Sequence, residues 1–219
     1  MSAQPPVARL LDVAGSAIGL PAGDLPEDER RAIADHWPAL MRLLELRNGF
    51  LAFESALHVR SLEGRSGYVG LLEWNEESGW RRHYETVPNN ALFFAEDVFA
   101  NQFAIGPQGV GRLNPETGNY KAHSPTLDAW AELILRDYNF ETGWKLAHEW
   151  QTAHRALKLG ERLLPRQPFV LGGEFETENL MAVPSGDAME RLGRLYQTIR
   201  NVPDGTRVAL DFWFDAPAE

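Results

Sequence analysis

Between residues 91 and 121 the chain reads A-L-F-F-A-E-D-V-F-A-N-Q-F-A-I-G-P-Q-G-V-G-R-L-N-P-E-T-G-N-Y-K, and this stretch constrains the fold more than any other. Phe99, Asn101, Phe103 and Ile105 alternate with Val98, Ala100, Gln102 and Ala104. That is the period of two a pleated strand requires, so a central strand is expected over 98–105. Ahead of it, 92–95 is a dense apolar run of the kind found where both faces of a sheet are covered. Gly106-Pro107 and Asn114-Pro115-Glu116-Thr117-Gly118 are turn signals, since proline fixes φ early in a turn and glycine supplies positive φ at its end. Strands at 110–113 and 120–123 should pair across the second turn, giving an antiparallel meander of three or four strands.

The charged pair Glu96-Asp97 interrupts this apolar stretch. Neighbouring strand residues point to opposite faces, so the two carboxylates do not form a close acid/base dyad, and one of them is expected to cap or kink the chain. A role for the pair at an interface is retained as well.

The order F-F-A-E-D-V-F-A-N-Q-F, a strand, N-P-E-T-G, then a helix built like T-L-D-A-W-A-E-L-I-L resembles the bacterial branch of the SUKH superfamily. L-R-N-G-F at 46–50 and E-W-N at 73–75 extend the resemblance over roughly residues 35–138. Where that pattern commonly has a small residue such as glycine, this chain has Ala100. The resemblance implies an immunity protein that binds and neutralises a toxin domain, or a regulatory scaffold of the same fold.

Elsewhere the pattern alternates between helical and extended periods. Leu10, Leu11, Ala14 and Ile18 predict a short N-terminal helix, and a second helical stretch after Asp28 restarts at Pro38 and stops at Asn48-Gly49. Alternation over 51–59 predicts one strand, and 68–84 is expected to form helical turns. Ser124-Pro125 should open a helix with Leu127, Trp130, Ala131, Ile134, Leu135 and Tyr138 on one face. A further helix is expected after Thr142, which is read as its cap, running to Gly160. Strands then follow within 165–173 and over 179–183, a helix capped by Asp187, a tight turn at Pro203-Asp204-Gly205, and a closing strand over 207–214. The expected architecture is α+β: helices packed on a largely antiparallel sheet, with a C-terminal strand-helix-strand extension. The division expected is a SUKH-like domain with N-terminal helices at 1–138, and 139–219 as an extension packed on it.

Composition limits the chemistry. Without cysteine there are no disulfides, thiolate nucleophiles or Cys-based zinc sites, and 219 residues suffice to bury a core without such staples. The formal net charge of −10 disfavours phosphate backbones and attracts basic partners. No signal-peptide pattern or long apolar run is read, so a cytoplasmic protein off the membrane is expected. His148-Glu149 evokes a zinc-protease helix, but Thr152 stands where the second histidine belongs and His154 falls on the far side. The histidines at 36, 58, 83 and 123 are scattered. G-x-S-x-G, a P-loop and G-x-G-x-x-G are all absent.

Neither cofactor nor metal is therefore expected, and the reading that remains is non-enzymatic binding. Glu73, Trp74, Glu76, Glu77 and Trp80 concentrate acids and aromatics in a segment with a poor core pattern, which suits a protein interface; the competing reading places both tryptophans in the core. Glu96 and Asp97 join them as candidate partner-binding residues. Glu174, Glu176 and Glu178 form a second acidic cluster, read as a solvated loop. The expected partner is a basic bacterial toxin domain rather than nucleic acid, with an endogenous partner or an enzyme site assembled from distant residues as alternatives.

Overall fold

The computed structural model describes residues 4–203 and 205–214. Among these the chain forms α1 (Pro6–Val13), α2 (Glu27–Ala32), α3 (Trp37–Leu46), β1 (Phe50–Ala52), β2 (Leu57–Val59), α4 (Leu71–Trp74), β3 (Leu92–Asp97), β4 (Gln102–Gly106), β5 (Gly109–Asn114) and β6 (Asn119–Ser124). It continues through α5 (Leu127–Arg136), α6 (Tyr138–Thr142), α7 (Trp144–Ala153), β7 (Glu161–Pro165), β8 (Leu180–Pro184) and α8 (Ser185–Ile199). Strands β1 to β6 pair in sequence order as an antiparallel meander, while β7 and β8 form a separate two-stranded sheet. The fold is α+β, with helices packed on the sheet.

The meander is the one its turn signals predict, with one more strand boundary than the alternation suggests. Residues 98–101 are a tight turn, so the strand expected over 98–105 begins only at Gln102, as β4, and the apolar run at 92–95 belongs to a separate antiparallel strand, β3. The Asp97 carboxylate makes the turn: Oδ1 accepts from the backbone N–H of Phe99 and of Asn101, both at 2.9 Å. Ala100 takes a φ of +63° there, a left-handed conformation that favours glycine. The strand expected over 51–59 is likewise a hairpin. Phe53, Glu54 and Ser55 all have positive φ, and later elements hold the bend, through Gln151 Nε2 donating to Glu54 O at 2.9 Å and Arg162 Nη1 to Ser55 O at 2.8 Å.

The two sheet faces bury different materials. One packs Leu57, Val59, Leu92, Phe94, Phe103 and Ile105 against Leu10 and Leu11 of α1, Leu40, Leu43 and Leu44 of α3, and Trp130 and Ile134 of α5. The other packs Phe93, Ala104 and Leu113 against Trp74, Trp80, Tyr84 and, from α8, Met189, Leu192, Leu195 and Tyr196. A third cluster joins Val98 to Ala147, Trp150, Leu163 and Leu180, so α7, β7 and β8 close over the turn at 98–101.

Several boundaries differ from expectation for local reasons. Thr126, not Ser124, caps α5, its Oγ1 accepting from Ala129 N at 3.1 Å. Gly143, at φ +71°, precedes α7, while the Thr142 hydroxyl donates back to Tyr138 O. Helix α7 ends at Ala153, well short of Gly160. The strand expected within 165–173 lies earlier, at β7, and Phe169–Leu171 is a 3-10 turn. Helix α8 begins at Ser185 after Pro184, with Asp187 inside its first turn rather than capping it.

The expected closing strand over 207–214 is not formed; Asp211–Trp213 is a 3-10 turn. The alternation pointed Trp213 outward and Phe214 inward, and the chain does the reverse. Trp213 is buried with its indole N–H donating to Pro165 O at 2.9 Å, and Phe214 is exposed. Burying the larger ring, with its one polar atom satisfied, outweighs a strand that has no partner. The middle residue of the turn expected at 203–205 and the first three residues of the chain lie outside the described residues.

Candidate functional site

The residues singled out by sequence separate into three groups. Glu73, Glu76 and Glu77 are exposed around α4. Trp74 and Trp80 are core residues, not surface ones: Trp80 Nε1 donates to Trp74 O, Trp74 Nε1 donates to Gln102 Oε1, and the Trp80 ring meets Phe93 edge-on at 5.0 Å. Glu96 and Asp97 are also buried, on opposite faces of β3. The E-W-N stretch is structural in another way as well. Asn75 accepts from Phe93 N through Oδ1 and donates to Phe93 O through Nδ2, satisfying the strand where its pairing with β4 shifts register.

Glu96 is the centre of a buried charged cluster. His58 on β2 lies opposite it in register, Arg60 follows just beyond β2, Arg162 comes from β7, and Ser185 opens α8. Glu96 Oε1 receives His58 Nδ1 at 2.8 Å, Arg162 Nε at 2.9 Å and Ser185 Oγ at 2.7 Å, with Arg60 Nη2 also at 2.9 Å. Oε2 receives Gln102 Nε2 at 3.0 Å. The guanidinium groups hold the Glu96 carboxyl well below the usual carboxylate range despite its burial. Burial, together with both arginines, lowers the His58 pKa from 6.5 to about 4. His58 is therefore neutral, donating from Nδ1 to Glu96 and accepting at Nε2 from the Tyr68 hydroxyl 2.9 Å away. Two arginines thus share one carboxylate, and the cluster carries a net positive charge.

Asp97 works locally. Besides shaping the turn, its Oδ2 accepts from Asn101 Nδ2 at 2.7 Å and from Arg112 Nη2 at 2.6 Å. Neither cluster resembles a nucleophile with an organising base, and among the described residues no group of histidines and carboxylates is arranged to hold a metal ion.

A surface whose aromatic part the sequence reading did not single out lies beside the turn at 98–101. Phe175 stacks on Phe169 at 3.9 Å and meets Phe99 at 6.1 Å, yet its side chain is 64% exposed. Phe99 in turn lies against Gly143, which ends α6, and α6 carries Phe140 at 73% exposure. The exposed acids Glu174, Glu176 and Glu178 surround Phe175. The signal was present in E-F-E-T-E, where a large apolar ring stands in an otherwise acidic loop.

No protein-family profile matches the chain, and no curated protein matches it. Among solved structures the fold is similar to that of Atu4351 from Agrobacterium tumefaciens, with a TM-score of 0.56 and 11% identity, covering 84% of this chain and 86% of that one. At that identity the likeness concerns the fold alone. No helix among the described residues is long and apolar enough to cross a membrane.

Proposed function

We propose that this chain is a non-catalytic binding protein that captures a basic protein partner on the aromatic and acidic face made by α6 and the loop between β7 and β8. In line with the resemblance to immunity proteins of the SUKH superfamily, the partner is a toxin domain whose active site the complex occludes. The observation that carries this reading is the exposure of Phe175 among Glu174, Glu176 and Glu178, with Phe140 exposed as well on α6. Rigid aromatic rings supply contact area at little entropic cost, and the acids around them steer a cationic surface into place. The net charge of −10 acts in the same direction over longer range.

The test is binding to, and protection from, toxin domains encoded beside this chain. Phe140→Ser with Phe175→Ser should weaken the complex by at least about tenfold through faster dissociation. Charge reversal of Glu174, Glu176 and Glu178 to lysine should instead slow association and flatten its salt dependence. Failure to bind or protect against any such toxin, or full affinity in the double phenylalanine variant, would overturn the reading.

A further inference from the structure

The excess positive charge beneath Glu96 opens onto a cleft. Its walls are the 67–69 loop, the 158–161 loop and the start of α8 at Pro184, Ser185 and Gly186, and it encloses about 280 Å³. Arg60 lines it while being only 2% exposed. The Arg60 guanidinium stacks 3.4 Å above the Trp74 ring and donates through Nη1 to Val69 O at 3.1 Å. Its Nε has no hydrogen-bond partner among the described residues, and Nη2 is ion-paired with Glu96 at 2.9 Å. A buried guanidinium with an unmatched N–H is costly unless an acceptor meets it.

The rest of the cleft offers donors and room. Lys158 lines it with an exposed side chain. Helix α8 begins there without a side-chain cap; Ser185 N is taken by Gly160 O, and the next two N–H groups, of Gly186 and Asp187, have no partner within the helix. Gly67, Gly160 and Gly186 each have open space where a Cβ would stand. The other groups at the cleft are already engaged. Tyr68 and Ser185 serve His58 and Glu96, and the Glu161 carboxylate is held by Arg155 at 2.6 Å and by Lys158 N at 2.8 Å.

We propose that this cleft is a binding site for the phosphate group of a small molecule, held by Arg60, Lys158 and the first turn of α8. Phosphate is favoured over carboxylate because Arg60, Lys158 and the N–H groups of Gly186 and Asp187 belong to three separate segments of the wall, and a tetrahedral anion presents oxygens to all of them. The volume sits at the small end of ligand pockets, which suits inorganic phosphate or a short phosphate monoester rather than a nucleic acid. This site is separate from the face proposed for a protein partner.

The test is thermal denaturation and phosphorus NMR of the full chain with inorganic phosphate, glycerol phosphate or acetate, against chloride at matched ionic strength. Phosphate should raise the melting temperature and broaden its own resonance, and acetate should do neither. A larger response to glycerol phosphate assigns the site to a monoester, a larger one to inorganic phosphate assigns it to the free ion, and both support the site. Gly186→Glu places a carboxylate in open space at the mouth and should lower phosphate affinity by at least about tenfold. Lys158→Ala, at an exposed position, should weaken it about twofold to fivefold. Both variants should melt like the unmodified chain in chloride alone. Absence of any phosphate response, an equal response to acetate, or affinity unchanged by Gly186→Glu would sink the proposal.

Discussion

The two faces of the six-stranded sheet are buried to the same depth by different means. The face under α1, α3 and α5 is aliphatic and aromatic, and its elements are held by area. The face under α8 shares the aromatic core around Trp80 with a fully buried carboxylate, two arginines and a neutral histidine. The first face tolerates any set of side chains that fills the space, whereas the second demands partners of fixed chemistry. The charged cluster also joins β2 and β3 to β7 and α8, with Glu96 and Ser185 89 residues apart in sequence, so it specifies where the C-terminal elements dock.

Glu96→Ala should separate the faces most sharply. It leaves Arg60, Arg162 and Ser185 without their shared acceptor, and a loss of about 4 kcal/mol is expected in denaturant unfolding. Adding Arg162→Met should recover part of that loss, because an unpaired buried charge is removed with it. Leu44→Ala on the aliphatic face should cost about 3 kcal/mol, from lost burial and a residual cavity. Combined with Glu96→Ala, it should be additive. Rescue of Leu44→Ala by Arg162→Met, or no rescue of Glu96→Ala, would erase the proposed distinction.

Acid should weaken the charged face next. The folded state holds His58 near a pKa of about 4, against 6.5 when unfolded, so between those values the unfolded chain binds the extra proton. Stability contributed by the neutral ring is complete above pH 6.5 and is lost as pH falls towards 4, by about 3 kcal/mol at most. Glu96, depressed by the arginines, adds a loss of the same sign below the ordinary carboxylate range. Asp97 acts oppositely, since burial raises its carboxyl. Denaturation midpoints between pH 7 and 4.5 should therefore decline in the unmodified chain and decline less in His58→Gln. Parallel curves for the two would show that His58 is not responsible.

How much of this was legible follows from where each signal resides. The meander and its turns were readable because Gly106-Pro107 and Asn114 to Gly118 carry their turn chemistry locally. The bends at 53–56 and 98–101 were not, because the alternation runs through them and the groups that stabilise them arrive late in the chain. Val98 N donates to Thr142 O and Val98 O accepts from Leu163 N, contacts that no local period encodes. The burial of Trp74 and Trp80 was hidden for a related reason. Trp74 and Trp80 lacked a core pattern because short helical turns, not a long amphipathic helix, deliver them inward. Glu96-Asp97 stands out as a charged pair inside an apolar stretch, but Arg162 and Ser185, which meet Glu96, lie 66 and 89 residues away in the chain. Residues on the far side of a fold cannot be paired from one sequence.

The smallest expected effect lies at the turn where β3 becomes β4, where Ala100 packs on the α8 side of the sheet. Ala100 is buried and holds φ at +63°, although its methyl group penalises that conformation, and the carboxylate of Asp97 and the backbone contacts of Val98 keep it there. The departure from the small-residue pattern noted in the sequence therefore falls at the one position of the turn where glycine is at an advantage. Ala100→Gly should stabilise the chain by about 0.5 to 1 kcal/mol, since relief of the left-handed strain exceeds the added freedom of the unfolded glycine. The gain should appear equally in the Leu44→Ala background, because Ala100 packs on the α8 side of the sheet and Leu44 on the other. Destabilisation instead would mean that the buried methyl group contributes more through packing than it costs in backbone strain.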